Sequence, residues 1–284
     1  MNDHVSQRRF DWVNAAVITL SPPAAALACV FYIHAYGFRW GDLLSFIVMY
    51  GLTGTAISAG YHRYFSHRAF SCSPAIRFLM LIFGAATLEN SALSWVSDHR
   101  NHHRHTDHEE DPYNIQNGFF WAHMGWIYFK PAVKRDYGNV ADLKKDPWVM
   151  WQHRYYVPIA LITGLGIPFL IGLCFGRPLG GVIWGGLLRM VVVHHSTWLI
   201  NSAAHSVGKK TYSDSTSARD SWWLPIISFG EGYHNYHHTF PTDYRNGPAW
   251  YHWDTTKWLI HALSLAGLTW ELRRCTPSAR LRPG

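Results

Sequence analysis

The sequence predicts an all-α integral membrane protein with four transmembrane helices and a cytoplasmic helical cap that carries histidine boxes. Three observations predict this class: four long stretches are nearly uncharged, Lys and Arg are unevenly distributed, and histidines cluster beside the ends of those stretches. No linker rich in Gly, Ser or Pro divides the 284 residues. We therefore expect the whole chain, residues 1–284, to form one domain.

The four apolar stretches are expected to be membrane spans, because a helix needs about 20 apolar residues to cross the hydrocarbon core. They run over about 12–33, 43–61, 156–175 and 181–204. The fourth contains Arg189, which should face protein or a polar site because charge is costly in lipid. The apolar segment 74–84 is too short to span and fits a helix that lies in the membrane interface.

The distribution of the 25 Lys and Arg residues predicts the orientation in the membrane. Segment 62–155 carries eleven of them, the first eleven residues carry two, and segment 205–284 carries nine. The two short connections between spans carry only Arg39 and Arg177. Basic residues concentrate on the cytoplasmic side, so we expect both termini and both long segments there. Nucleic-acid binding is not expected, since the basic residues are scattered; a cytoplasmic face on anionic lipid explains the net charge of +7.

Nine histidines and one asparagine form four clusters in these cytoplasmic segments, and the pattern H-x-x-H-H occurs twice. The clusters are His62 with His67; His99, His102 and His103; Asn201 with His205; and His234, His237 and His238. Neutral imidazole suits iron, zinc, copper and nickel. More ligands than one metal can use indicates two metals side by side.

Helical geometry predicts where the imidazoles of two of these clusters point. Neighbouring residues of a helix diverge by about 100°, so His102 and His103 could each reach a different metal. His62 and His67 are five apart, or about 140° around a helix, and cannot both face inward from one straight helix. We therefore expect the chain to bend or leave the helix between them.

Thr197 and Trp198 precede Asn201 and His205 by one turn on the same helical face. This helical face can therefore provide a metal ligand at its later turn and line a pocket at the turn of Thr197 and Trp198. Nearby carboxylates are expected to accept the second N–H of histidine ligands, with ordinary solvated charge as the alternative. They are Asp98, Asp107, Asp111, Glu231 and Asp243.

The remaining histidines are interpreted as surface or structurally satisfied residues. They are His4, His34, His105, His108, His123, His153, His194, His195, His252 and His261. The four cysteines form no C-x-x-C pair and indicate no disulfide framework. A zinc protein or metal transporter is the competing class, although transporters place polar ligands near mid-membrane rather than at span ends.

These residues closely resemble the membrane fatty acyl desaturase family, of the acyl-CoA delta-9 (stearoyl-CoA desaturase-like) type. The similarity covers about residues 50–253. Its motifs are 60–67, 98–103, 111–112, 118–126, 198–205 and 230–241.

The resemblance implies a di-iron centre held by the nine clustered histidines, with Asn201 reaching one metal through water. It also implies a narrow, bent tunnel for the acyl chain. Trp95, Thr197 and Trp198 match positions that shape the bend. Tyr50 and Gly54 match positions near the closed end, where a bulky residue in place of Gly54 should shorten the preferred acyl chain.

The implied reaction uses O2 and two electrons to place a cis double bond in a saturated acyl thioester. Acyl-CoA is the expected substrate, and acyl carrier protein or lipid-linked acyl chains stay open. Lys130 and Arg154, with Lys134 and Arg135, are candidates for headgroup contacts. Ser97, Glu89 and segment 115–117 depart from the family pattern and leave those contacts open.

A separate electron donor of the ferredoxin, rubredoxin or haem-protein type, with its reductase, is expected. A bacterial plasma membrane is favoured over the endoplasmic reticulum, because the chain carries no fused electron carrier and has short tails. The same metal site could instead hydroxylate or oxidatively decarboxylate its substrate. Positioning after hydrogen abstraction decides among these outcomes, and sequence discriminates poorly.

Overall fold

The structure is a computed structural model that describes residues 8–131 and 136–275. The helices named below are α1 (Trp12–Tyr36), α2 (Trp40–Ser66), α3 (Pro74–Ala85), α4 (Ala92–His105), α5 (Tyr156–Cys174), α6 (178–202), α7 (His234–Thr239) and α8 (Thr255–Leu265). Shorter helical segments cover Ile115–Asn117, Phe119–His123, Gly125–Tyr128, Gly138–Val140, Ala141–Lys144, Pro147–Arg154, Ala203–His205 and Leu224–Ile227. The helices α2, α5 and α6 contain π-helical stretches at Ala56–Ser66, Ile162–Gly166 and Val182–Leu188.

Two short antiparallel strand pairs join segments of the described chain that are distant in sequence. Arg8–Phe10 pairs with Phe129–Pro131 and holds the start of α1 against the middle segment. Ser71–Cys72 pairs with Thr269–Trp270 and brings the end of the described chain back beside the first histidine box.

Large apolar side chains point outward from α1, α2 and α5. The exposed fractions are 78% for Trp12, 67% for Phe31, 54% for Ile47 and 69% for Ile162. Soluble monomers rarely expose apolar patches of this extent, so this surface fits helices surrounded by lipid.

In the described residues, three helices are long and apolar enough to cross a membrane: α1, α2 and α5. The second of them runs to Ser66, five residues beyond its predicted end, because the first histidine box continues the helix. The predicted fourth span forms the continuous helix α6, but Arg189, His194 and His195 lower its apolar character. The count of four spans therefore stays a prediction.

Arg189 lies fully inside the protein, as its cost in lipid predicts. Its guanidinium donates three hydrogen bonds to backbone oxygens: Nε to Gly185 (3.0 Å), Nη1 to Ala86 (2.7 Å) and Nη2 to Gly164 (3.1 Å). A buried charge is tolerated where its donors are satisfied in this way. Arg189 thereby joins α6 to α5 and to the end of α3.

A second arginine ties the helix ends that lie away from the histidines. Arg177, between α5 and α6, places Nε 3.0 Å from Asp42 Oδ2 and donates from Nη2 to the Gly37 oxygen (2.8 Å). It also stacks 4.9 Å from the centre of the Tyr32 ring. Charge-assisted bonds of this kind are the stronger ones in proteins.

At the opposite end of α2, Arg63 joins this helix to the segments that precede α7 and α8. This side chain is buried, with Nη2 3.0 Å from both Glu231 Oε1 and Asp254 Oδ1, and Nη1 donates to the Tyr244 oxygen (2.8 Å). Glu231 precedes α7 and Asp254 caps the start of α8, so one guanidinium anchors both helices to α2.

Glycines allow α5 and α6 to pack backbone against backbone. A Cβ at Gly181 would lie 2.9 Å from the Gly172 Cα and closer still to the Pro168 oxygen. Small residues at helix crossings are what permits such close approach in membranes.

We therefore expect Gly181→Leu to force α5 and α6 apart and to lower the melting temperature, since overpacking costs about 1–3 kcal/mol. Gly166→Leu is the matched control, because a Cβ at Gly166 meets nothing within 4 Å. Thermal unfolding in detergent measures both variants. Equal melting temperatures for the two would contradict the proposed close packing.

Candidate metal centre

The first histidine cluster, His62 with His67, lies at the π-helical end of α2. His67 N donates to the His62 oxygen (3.2 Å), which is the i→i+5 bond of a π-helix. This wider winding brings residues five apart onto nearly one face, so both imidazoles point to the same place. The chain leaves regular α-helical geometry here, as expected: the helix widens into π-helical winding and ends at Ser66, so that His67 is its C-cap residue.

The other boxes lie on α4 and α7, where neighbouring histidines diverge. In α4, His102 and His103 enter different groups of imidazoles, and in α7 the same is true of His237 and His238. Each helix therefore contributes to both groups.

The nine clustered histidines form two groups, and within each group the ligand atoms lie within 4.8 Å of one another. The first group contains His62, His67, His99, His103 and His237; the second contains His102, His205, His234 and His238. The Nε2 atoms of His67 and His99 are 2.8 Å apart, and those of His234 and His205 are 3.1 Å apart.

Carboxylates on the outside of the groups fix the tautomers of two rings. His102 Nδ1 lies 2.9 Å from Asp111 Oδ2, and His62 Nδ1 lies 2.7 Å from Glu231 Oε2. A carboxylate accepts a hydrogen bond from the Nδ1–H group of the imidazole. The unprotonated Nε2 of each ring, with its lone pair, therefore points into its group. Asp111 and Glu231 thus occupy the supporting positions expected of them.

Asp107 supports His205 through an intermediate hydroxyl. His205 Nδ1 is 2.7 Å from Ser217 Oγ, and Ser217 in turn bonds the Asp107 carboxylate through its side chain and through its amide (2.7 Å). Asp243 instead pairs with Arg245 and Tyr236, whereas Asp98 lines the adjoining cavity.

Burial favours the neutral form of several of these imidazoles. Desolvation, followed by the neighbouring imidazoles, lowers the pKa of His99, His103 and His238 well below the ordinary value. The same causes lower the pKa of His234 to about 3. Neutral imidazole is the protonation state that binds metal.

These observations fit metal binding. Unprotonated nitrogens that face one another across about 3 Å repel, unless a cation lies between them to accept their lone pairs. All-imidazole donor sets with fixed tautomers are suited to first-row transition metals. Each of the two groups therefore fits one metal ion.

A cavity of about 530 Å³ adjoins the two groups. Its lining includes His62, His99 and His102 of the two groups, Trp198 and Asn201 of α6, and apolar side chains of α1. Predominantly apolar cavities with a few polar groups are typical binding sites for apolar ligands. The arrangement places an apolar ligand directly against the candidate metal ligands.

Glu89 joins two helices, α4 and α6, that contribute to the lining of this cavity. Its Oε2 accepts from Trp95 Nε1 (3.3 Å), its Oε1 accepts from Thr197 Oγ1 (3.0 Å), and the Trp95 ring stacks on His99 at 5.0 Å. Burial raises the pKa of Glu89 to about 8, although both hydrogen bonds and the Arg189 charge oppose the shift. The sequence marked Glu89 only as a departure that affects headgroup contacts; the structure instead places it with the predicted bend residues.

The other predicted pocket residues lie in two places. Thr197 and Trp198 line the large cavity, whereas Gly54 lines a separate small cavity of about 20 Å³. Tyr50 lines neither: its hydroxyl lies 3.0 Å from Ser196 Oγ and donates to the Ile227 oxygen (2.6 Å).

The headgroup candidates do not line the large cavity. Lys130 pairs with Asp11 (2.8 Å), and Arg154 is exposed and stacks over Tyr155 (5.5 Å). Lys134 and Arg135, and also His4, lie outside the described residues.

Among the histidines interpreted as structural, those of α6 have protein partners. His194 Nε2 donates to the Thr87 oxygen (2.7 Å), and His195 Nδ1 lies 3.0 Å from His123 Nε2. His123 Nδ1 is 3.0 Å from Ser202 Oγ. These rings fasten α6 to its neighbours and belong to neither imidazole group.

The chain matches the family model described as fatty acid desaturase over residues 38–270. It is 39% identical over 267 residues to a "Probable acyl-CoA desaturase" of Schizosaccharomyces pombe, covering 93% of this chain and 55% of the relative. It is 42% identical over 235 residues to "Acyl-CoA desaturase 1" of Saccharomyces cerevisiae, covering 82% and 46%.

A third relative is the "sn-1 stearoyl-lipid 9-desaturase" of Anabaena variabilis, 32% identical over 267 residues, which are 93% of this chain and 94% of the relative. The chain therefore spans about half the length of the two yeast relatives and almost the full length of the Anabaena one.

The raised pKa of Glu89 predicts a pH-dependent stability. The folded protein holds this proton more tightly than the unfolded chain, so the free energy of unfolding falls as the pH rises from the ordinary value of 4.5 to about 8. Glu89→Gln cannot ionise. We expect the melting temperature of the native protein, relative to that of the variant, to fall across this window.

Thermal unfolding of both proteins at a series of pH values measures the difference. Glu109→Gln, which removes an exposed carboxylate, is the control. A difference that stays constant with pH for Glu89→Gln would contradict a buried acid at this position.

Proposed function

This chain belongs to the fatty acid desaturase family, and we propose that it is a membrane-bound, oxygen-dependent di-iron desaturase. In this proposal it introduces a cis double bond at the delta-9 position of a saturated fatty acyl thioester, acyl-CoA. The observation that carries the proposal is the pair of imidazole groups on the wall of an apolar cavity.

The five-imidazole group and the four-imidazole group would each hold one iron ion, and Asn201 would reach one of the two through water. Two bound irons would supply the oxidising power of O2 that is needed to remove two hydrogens from unactivated carbons, which no side chain can supply. The protein's own part is to hold, orient and shield the substrate.

Positioning of the acyl chain falls to the residues around the bend. Trp95 stacks on His99, and Glu89 hydrogen-bonds both Trp95 and Thr197, so Glu89, Trp95 and Thr197 would hold the cavity lining in place beside the first group. A rigid wall decides which carbons lie nearest to the metals, and misplacement is costly in rate.

Balanced as a whole, the reaction takes two hydrogens from adjacent carbons, two further electrons, two protons and O2, and gives a double bond and two waters. The electrons would come from a separate donor of the ferredoxin, rubredoxin or haem-protein type with its reductase. The cysteines of the described chain are free and dispersed, unlike the ligands of an iron–sulfur carrier.

Acyl-CoA is the proposed carrier because the two yeast relatives bear that substrate in their names. The Anabaena relative is named for a lipid-linked acyl chain, which makes lipid the specific alternative. Lys130 and Arg154 remain the proposed headgroup contacts, with the carrier to be decided by experiment.

For the membrane arrangement, we propose four spans, with α6 as the fourth, and both termini and the metal centre on the cytoplasmic side of a bacterial plasma membrane. The basic residues of 62–155 and 205–284 support that orientation.

Product analysis tests the proposal directly. Purified, iron-loaded protein is given O2, a reduced ferredoxin with its reductase, and either a saturated long-chain acyl-CoA or the same chain in a phospholipid. Mass spectrometry should find a delta-9 cis product from acyl-CoA. Hydroxylated or decarboxylated product would contradict desaturation, and product from phospholipid alone would contradict the carrier.

Removal of a single ligand should abolish turnover. His102→Ala takes one ligand from the four-imidazole group and His237→Ala takes one from the five-imidazole group, while His105→Ala changes a histidine of α4 that belongs to neither. We expect the first two variants to lose iron and activity with the helical fold retained, as followed by iron analysis, turnover and circular dichroism. Near-normal activity in either would remove that residue from the ligand set.

A further inference from the structure

We propose that Phe229 is the end stop of the acyl cavity and therefore a determinant of substrate chain length; this inference rests on the proposed function. Phe229 belongs to the segment between α6 and α7 that the sequence assigned to the cytoplasmic tail. Four observations support the assignment of Phe229 as the end stop. They are the position of its segment along α2, the contact with Gly54, the backbone conformation of Phe229 and the residues that two cavities share.

The segment that contains Phe229 lies beside the middle of α2. The Tyr50 hydroxyl donates to the Ile227 oxygen (2.6 Å), and the Tyr50 and Phe229 rings are 5.1 Å apart. Gly54, on which the Phe229 ring packs, precedes His62 by eight residues, or about two helical turns. Phe229 therefore contacts α2 at Tyr50 and Gly54, the two positions at which the closed end of the cavity is expected.

Phe229 occupies the space in front of Gly54. A Cβ at Gly54 would lie 2.8 Å from Phe229 Cδ2 and closer still to Cε2 and Cζ. The ring thus packs directly on the backbone of α2, and no larger residue fits while it is there. The expectation that a bulky residue at Gly54 shortens the preferred acyl chain stays a prediction, and such a residue would have to displace the Phe229 ring.

The backbone holds Phe229 in an unfavourable conformation. Its φ is 57°, in the left-handed region that bulky side chains rarely adopt. Surrounding bonds enforce it: Ser228 N donates to the Leu224 oxygen (3.0 Å) and Gly230 N to the Pro225 oxygen (2.9 Å). Such strain persists where the surroundings over-determine it and is concentrated at functional sites.

Gly230 and Glu231 connect this conformation to the metal centre. Gly230 has a φ of 104°, and a Cβ there would lie 2.9 Å from the Asp254 Cα. Glu231 then bonds His62 and Arg63. The short segment that supports an iron ligand therefore also aims the Phe229 ring.

The two cavities indicate what the ring closes. Phe229 and Gly54 line the cavity of about 20 Å³, whose remaining lining is largely shared with the cavity of about 530 Å³. The shared residues are Ile57, Ser58, Thr197, Ile200 and Glu231. The small cavity is thus the continuation of the large one past Thr197. Its apolar end suits the methyl end of an acyl chain, and the Phe229 ring sets how far that end extends.

The test compares Phe229→Leu and Phe229→Gly with the native protein. Glycine tolerates the left-handed backbone, so it removes the ring without backbone strain. Saturated acyl-CoAs of graded length compete in one reaction. We expect the kcat/KM ratio of longer over shorter chains to rise about tenfold per added methylene pair in Phe229→Gly, and less in Phe229→Leu. Ile226→Ala, an exposed change in the same segment, should leave the ratio unchanged.

Unchanged selectivity in a folded, active Phe229→Gly protein would overturn the inference. If the native protein forms no product, the proposed function fails, and the end stop is then tested by binding of the same acyl-CoAs, measured as displacement of a fluorescent fatty acid. Tighter binding of longer chains only in Phe229→Gly supports the end stop. The same length preference in both proteins refutes it.

A stability readout checks the contact independently. Gly54→Ala should lower the melting temperature in the native background, and Phe229→Gly should remove that loss in the double variant. Additive effects would contradict direct packing of Phe229 on Gly54.

Discussion

Convergence of neutral imidazoles is the interaction on which the rest of this structure depends. Nine rings from α2, α4, α7 and the end of α6 direct nitrogen atoms into two compact groups. Without a cation, their facing lone pairs would repel in a buried site. Outer partners such as Asp111, Glu231 and Ser217 fix the rings in the required tautomers. Fold, protonation and metal binding are therefore one coupled problem.

The same residues connect the metal centre to substrate selection. Glu231 bonds both His62 and Arg63, and Arg63 anchors the segments that lead into α7 and α8. Two residues before Glu231, Phe229 closes the cavity against Gly54. On the other side, Glu89 joins Trp95, which stacks on His99, to Thr197. The placement of the candidate metal ligands and the shape of the cavity depend on a shared network of buried polar contacts.

The sequence predicted the parts of this site that have a local signature. The repeated H-x-x-H-H pattern identified rings that converge, and the divergence of adjacent residues on a helix explains why His102 and His103 enter different groups. The π-helical winding at His62 could not be predicted, since helix type is decided by packing rather than by spacing. Glu89 and Phe229 were missed as site residues because their partners, Thr197 and Gly54, are remote in sequence. The apolar stretches predicted the helices, but the polar residues of α6 make it less apolar than the three helices that are suited to span a membrane.

An anomalous difference map measured at the iron absorption edge, from crystals of the iron-loaded protein, tests the central claim most directly. Two peaks are expected, one among the five imidazoles and one among the four, both at the wall of the large cavity. A single peak, or iron bound away from these rings, would contradict a paired metal centre and the desaturase chemistry built on it.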